Sequence, residues 1–262
     1  MANRFRVAAT IVGPVLVLLL AACGSSGSTP SASTTSRPRT TTTTTATSST
    51  TSTTVPTTDA VLAPPLLPLF PFQTAAEAQA WMDAYRASGA RPEFADADKT
   101  ALAFAHFLGY DEVDRVTATS TDAKGAHVSV GSLVPDTQQA RTASVVHLVR
   151  YLDDAAAPWE VVGTDDTTFA LTQPGYGTTI RSPLPVGGRI SGVDENIRVQ
   201  VRQLHAEAPL GEFCCIPAGT GPWSGNVTFT AATDPILMVS ASTGGHVRRV
   251  ERFTVNGVRS GG

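Results

Sequence analysis

Between Thr74 and Gly109 the apolar residues fall three and four positions apart, whereas beyond Val113 they fall two apart. The first period belongs to helices and the second to half-buried strands. Thr74 followed by Glu77 is a capping-box signature, after which Ala78, Trp81, Met82 and Tyr85 share one helical face and Gly89 supplies a stop. A second helix starts at Asp96 or Asp98, carries Leu102, Phe104, Ala105 and Leu108, and closes at Gly109. Strands are expected at 113–121, 126–134, 141–152 and 159–165, with 167–171 as a continuation. In the third of these, Val145, His147, Val149 and Tyr151 face one way while Val146, Leu148, Arg150 and Leu152 face the other. Helices followed by a meander predict an α+β domain over residues 74–175, two helices lying on a curved antiparallel sheet.

Beyond residue 176 the period of two continues without helical interruption. Ile197, Val199 and Val201 alternate, Trp223, Val227 and Phe229 fall at even spacing, residues 236–239 form a short buried run, and Phe253 and Val255 make a final strand. Short strands between Gly and Pro turns predict an all-β sandwich over residues 176–262. The glycine-rich stretch from Gly219 to Gly225 precedes a strand, so it is expected to be a hairpin loop; a phosphate cradle would open a helix.

The first 72 residues cannot build a core of their own. Residues 1–22 form a signal peptide, with Arg4 and Arg6 ahead of a short apolar stretch broken by Gly13 and Pro14. The stretch ends in Leu20, Ala21, Ala22 and Cys23, which resembles the bacterial lipobox. That resemblance implies cleavage before Cys23, lipidation of its thiol, and a protein held on the extracytoplasmic face of the cell membrane through a lipid anchor. Residues 23–72 then serve as a disordered tether. Ser or Thr occupies 25 of the 34 positions from 25 to 58, and such a chain gains too little burial to offset its entropy. Flexible-coil scaling gives it a reach of roughly 35–40 Å. The apolar, proline-rich stretch 61–72 is read either as an arm that packs on the first domain or as a docking segment.

Two further resemblances bear on fold. The element order of residues 74–175 resembles the cone-shaped nuclear-transport-factor-like and cystatin-like folds, some of which enclose a ligand cavity. The stretch opening with Ile180, Arg181, Ser182, Pro183, Leu184 and Pro185 and continuing through Ile190, Gly192 and the alternating strand to Val201 resembles the immunoglobulin-like domain of bacterial spore-germination and sporulation-associated surface proteins. The resemblance covers about residues 180–255 and implies an immunoglobulin-like sandwich with a role linked to sporulation or germination. Its departures are a short interval between Pro185 and Gly192, and Asp194 and Glu195 where an aromatic–acidic pair is usual.

Charge narrows the partners. Residues 74–175 carry seven Lys and Arg against fifteen Asp and Glu, and residues 176–262 carry eight against six. Neither half has the dense basic face of a nucleic-acid binder. No G-x-S-x-G elbow, H-E-x-x-H, P-loop or strand-linked G-x-G-x-x-G occurs, so no catalytic, cofactor-binding or metal-binding residue is assigned. The pairs Asp153–Asp154 and Asp165–Asp166 flank one strand and read as solvated turn formers, with Ca²⁺ binding or proton sharing as the alternative. His106 and His147 read as packed or exposed residues, with a joint acid–base role as the alternative. Once Cys23 is lipidated, Cys214 and Cys215 are the remaining thiols of an exported chain. They form a candidate vicinal disulfide; intermolecular or free thiols, or a soft-metal site with His205 or His246, are the other readings. The functional expectation is a non-enzymatic surface lipoprotein that binds an envelope protein or glycan. The alternative is a small-ligand-binding or weakly catalytic cone domain with the sandwich as spacer.

Overall fold

Helix α1 (Ala75–Ser88) starts where the capping box predicts: the Glu77 backbone N–H donates to the Thr74 hydroxyl at 3.2 Å, and the Thr74 N–H donates to the Glu77 carboxylate at 2.9 Å. Gly89 stops it in the left-handed conformation at φ +69°, which glycine adopts without a Cβ penalty. A 3-10 turn (Pro92–Ala95) seats Phe94, and α2 (Ala97–Phe107) is capped by Asp96, whose carboxylate accepts the Lys99 N–H. The computed structural model describes residues 66–122, 125–135, 137–192, 195–245 and 249–261. The signal peptide, Cys23 and residues 24–65 lie outside the described residues.

Helix α2 packs on one face of a four-stranded antiparallel sheet in chain order, β1 (Arg115–Thr121), β2 (Gly125–Leu133), β3 (Ala140–Val149) and β4 (Glu160–Thr164), and α1 joins the same core. Val128, Val130, Val146, Leu148 and Val161 point at the helices. The space between is filled by rings: Phe70 lies 5.3–5.7 Å from Phe94, Phe104 and Phe107, and Trp81 stacks on Tyr85 at 5.0 Å. Phe70 comes from the arm. The Leu69 N–H donates to the Val161 carbonyl at 2.9 Å and the Val161 N–H to the Phe70 carbonyl at 2.7 Å, so the arm extends the sheet beyond β4. Residues 66–72, the end of the stretch read as tether, therefore belong to the folded body, with Leu67, Leu69, Phe70 and Phe72 in its core. Glu160, which opens β4, is fully buried with both carboxylate oxygens unpartnered.

The remaining strands form two sheets. β5 (Phe169–Gln173), β7 (Leu184–Ile190) and β10 (Gly221–Val227) pair in the order β10-β7-β5. β6 (Thr179–Ile180), β8 (Ile197–Gln203), β9 (Gly211–Ile216), β11 (Ile236–Thr243) and β12 (Arg252–Ser260) pair in the order β6-β12-β11-β8-β9, antiparallel except for the short β6–β12 pair. The sheets meet through a core that includes Phe169, Val186, Val199, Trp223, Leu237 and Val239. β11 is buried at every position because it is covered twice: Leu237, Val239 and Ala241 face this core, while Ile236 and Met238 face the helix core. Phe253 and Val255 of β12 also join the helix core. The fold is thus a β-rich α+β arrangement. No helix among the described residues is long and apolar enough to cross a membrane.

Two local expectations change, and one strand escapes the pattern. Residues 167–171 do not continue the first meander; β5 turns away and pairs with β7 in another sheet. Gly221 to Gly225 is strand β10, paired residue by residue with β7, and the chain before it passes from one sheet to the other instead of closing a hairpin. β7 escapes the alternation pattern because Pro185, Gly187 and Gly188 are depleted in strands. It is formed because a Cβ at Gly188 would meet the Ala170 carbonyl and lie 3.0 Å from the Trp223 ring, so only glycine lets both neighbours approach.

Candidate functional site

Along β8, Ile197, Val199 and Val201 enter the inter-sheet core, which sends Arg198, Gln200 and Arg202 to the opposite face. Registry then places Arg198 beside Cys214 and Ser242, and Gln200 beside Glu212 and Ser240. The helix core covers this face only over β11 and β12. Tyr110, in the turn after α2, ends that cover with its ring on Phe253 and its hydroxyl facing Ser240 and Ser242, and burial raises its pKa.

The uncovered half over β8 and β9 is a groove with two lobes. One, of about 570 Å³, is bounded by Cys214, Cys215, Asn196, Glu195 and Glu251; the other, of about 340 Å³, lies beside Leu108, Gly109 and Tyr110 over Arg202. Arg198, Ser242, Gly244, Gly245 and Arg249 line both. Its cations are not equivalent. Arg198 is paired with Glu212, which also accepts from Gln200. Arg202 is 7% exposed, donates Nε to the Gln200 side-chain carbonyl at 3.0 Å and Nη1 to the Glu207 carbonyl at 3.4 Å, and has no carboxylate within 4.0 Å among the described residues. Burial lowers its pKa while Tyr110 and Glu212 oppose the shift, and a guanidinium stays charged. A buried cation without a counter-ion is costly, and a bound anion offsets that cost.

Cys214 and Cys215, at the outer edge of the groove, are joined to each other by a disulfide. Cys214 is half-buried and Cys215 exposed, next to the exposed ring of Phe213. His205 lies elsewhere, lining a different cavity with Glu77 and Trp81; its Nδ1 is 3.1 Å from Asp234 and its Nε2 3.3 Å from Glu77. His246 lies outside the described residues.

The acidic pairs take separate partners: Asp154 binds Arg86 at 2.7 Å and caps the turn at Ala156, whereas Asp165 binds His127. His106 and His147 are not brought together. His106 sits on α2 with Asp111 3.5 Å away, and His147 points to the sheet face opposite the helices, between the buried Val146 and Leu148. There it stacks on His127, ring centroids 4.4 Å apart and 19° from parallel, while His127 Nδ1 lies 2.6 Å from Asp165 Oδ2. Burial and the neighbouring His127 lower the pKa of His147. His127 and Arg202 carried no recognisable motif; a correct strand register was the one signal able to single out His127. The chain matches no protein-family model, no curated protein and no solved structure.

Proposed function

We propose that the chain is a lipid-anchored protein of the bacterial cell envelope whose folded body binds, without catalysing a reaction, a carboxylate-bearing envelope ligand in the groove over β8 and β9. The observation that carries this reading is Arg202, a buried guanidinium in the wall of a polar cavity with no carboxylate within 4.0 Å among the described residues, Glu212 on the same wall being paired with Arg198. Arg198, Arg249 and the Ser242 hydroxyl extend the donor set, Glu195 and Glu251 supply acceptors for hydroxyl groups, and the disulfide gives one wall a less polar surface. The two face-packed sheets are read as an immunoglobulin-like sandwich, supported by their short strands and shared core. The cone-domain alternative receives less support, because the space between helices and sheet is occupied by aromatic side chains.

Anchoring is tested by Cys23→Ala, expected to leave the protein unprocessed or released from membranes; membrane fractionation in the parent's lipid-modified form would refute it. Binding is tested by NMR titration with a uronic-acid oligosaccharide, its carboxyl-reduced counterpart and an acidic peptide. Carboxylated probes should shift groove resonances and the reduced sugar should not. Arg202→Met should abolish the shifts while keeping or raising stability, since it removes an unpaired buried charge. Equal responses to charged and reduced probes would sink the assignment.

A further inference from the structure

The second cluster of ligating side chains lies on the open face of the first sheet, away from the groove. β2 and β3 are antiparallel with His127 directly opposite His147, and β3 and β4 with His147 opposite Gly163. Both pairings adjoin register shifts: opposite Val130 and Gly131 of β2 the extra residue is Ala143 of β3, and opposite His147 and Leu148 of β3 it is Val162 of β4. Gly163, at φ +150°, lies beside the second irregularity, where an added Cβ would stand 3.3 Å from the Val255 carbonyl, and two residues later the Asp165 N–H donates to the Val145 carbonyl at 2.9 Å. The bulges bring side chains from β2, β3 and the residue that follows β4 to one point, as bulges next to functional sites do.

We propose that His127, His147 and Asp165 form a three-ligand site for a divalent transition-metal ion of the zinc type, with solvent at the open position. One nitrogen of each imidazole and one carboxylate oxygen lie within 4.8 Å of one another. Two imidazoles and a carboxylate are the donor set that borderline ions such as Zn²⁺ take when a coordination position is left to water. Ligands about 2.0–2.1 Å from a tetrahedral ion stand roughly 3.3 Å apart, so on loading the 2.6 Å contact of His127 with Asp165 opens by less than an ångström, the wider donor separations, up to 4.8 Å, close, and the two stacked imidazoles turn out of parallel to bring both ring planes onto the ion. Both side chains are about a third exposed, which leaves room for that rotation and for the water. In the loaded site His127 binds the ion through one ring nitrogen and carries its proton on the other, and any further proton held between the ring and Asp165 leaves to solvent. Asp122, whose charge acts on His147, adds to the negative field at the site. Hard ions are disfavoured because two of the three donors are nitrogen.

The test is isothermal titration of the full chain in detergent with Zn²⁺ and Ca²⁺, followed by visible absorption of the Co²⁺-loaded protein. One Zn²⁺ per chain, no Ca²⁺ binding and the d–d bands of low-coordinate Co²⁺ are expected. His147→Ala and Asp165→Asn should each weaken Zn²⁺ binding about tenfold or more, while His205→Gln, which alters the other histidine–carboxylate cluster, should leave it unchanged. His127→Gln and an unfolding curve of each metal-free variant separate lost ligation from lost folding: a variant that unfolds at the parent's midpoint yet binds weakly supports the site. Absence of Zn²⁺ binding, or binding that survives His147→Ala and Asp165→Asn in folded protein, would overturn it and leave His127 and Asp165 as a hydrogen-bonded pair.

Discussion

Tyr110 packs its ring on Phe253 with centroids 5.0 Å apart, so the turn that ends α2 is seated on the last strand of the chain. The contact lies inside a core that unites Phe70, Phe94 and Phe104 with Met238, Phe253 and Val255. The same tyrosine forms the wall of the groove, so the packing of the two halves and the shape of the candidate site depend on one side chain.

It follows that the halves should unfold together. Phe253→Ala, at a ring 1% exposed, should cost about 3–5 kcal/mol and lower a single cooperative transition seen by both near-UV circular dichroism and tryptophan fluorescence. A fragment of residues 176–262 lacks β5 and uncovers Ile236, Met238, Phe253 and Val255. It should give the narrow NMR dispersion of an unfolded chain or aggregate; a well-dispersed spectrum would show that the second half folds without its cover.

Burial, with a smaller contribution from Glu77, pushes the Glu160 carboxyl from its ordinary 4.5 up to about 8. The native state then holds a proton that the unfolded chain releases, so stability is highest below about pH 4.5 for this group and falls as pH rises toward 8, by roughly 1.4 kcal/mol per unit. Glu160→Leu removes that penalty. Its stability gain over the parent, from denaturant curves at successive pH values, should grow across this window and level off above it; a gain independent of pH would rule out a buried protonated carboxyl.

Gly188→Ala should destabilise by about 3 kcal/mol, because the added methyl meets the Ala170 carbonyl and the Trp223 ring, and neither strand can retreat without losing its pairing. Gly219→Ala, with nothing within 4 Å of the new methyl, is the control and should be nearly neutral.

Replacing Cys214 and Cys215 together by serine should shift the unfolding free energy by less than about 1 kcal/mol, since a bridge between sequence neighbours closes almost no loop in the unfolded chain. The groove should feel the change more, as weaker binding of the carboxylated probe. Loss of cooperative unfolding in the double variant would contradict this.

Elements whose signals are local can be read directly from the residue pattern. Thr74 and Glu77 close a capping box three residues apart, Asp96 caps its own helix, Gly89 ends one, and the alternation of Ile197, Val199 and Val201 follows from one face being buried whatever lies on the other. Strand β7 stayed hidden because its glycines are explained only by Ala170 and Trp223, eighteen and thirty-five residues from Gly188, and the role of Phe70 as an extra edge of the sheet depends on its carbonyl accepting the Val161 N–H. The candidate sites lie at this second level. Counting back from the β2–β3 turn at the register of Leu133 with Ala140 would set His127 against Val146; the shift at Val130/Gly131 moves it onto His147, and a second shift brings Asp165 to both. A strand alternates with period two, so a one-residue shift decides which face a side chain occupies, and that shift is chosen by packing across the sheet. Arg202 shows the same division: its outward direction was written in the alternation of β8, but its burial without a carboxylate was decided by where α2 and Tyr110 stop covering the sheet.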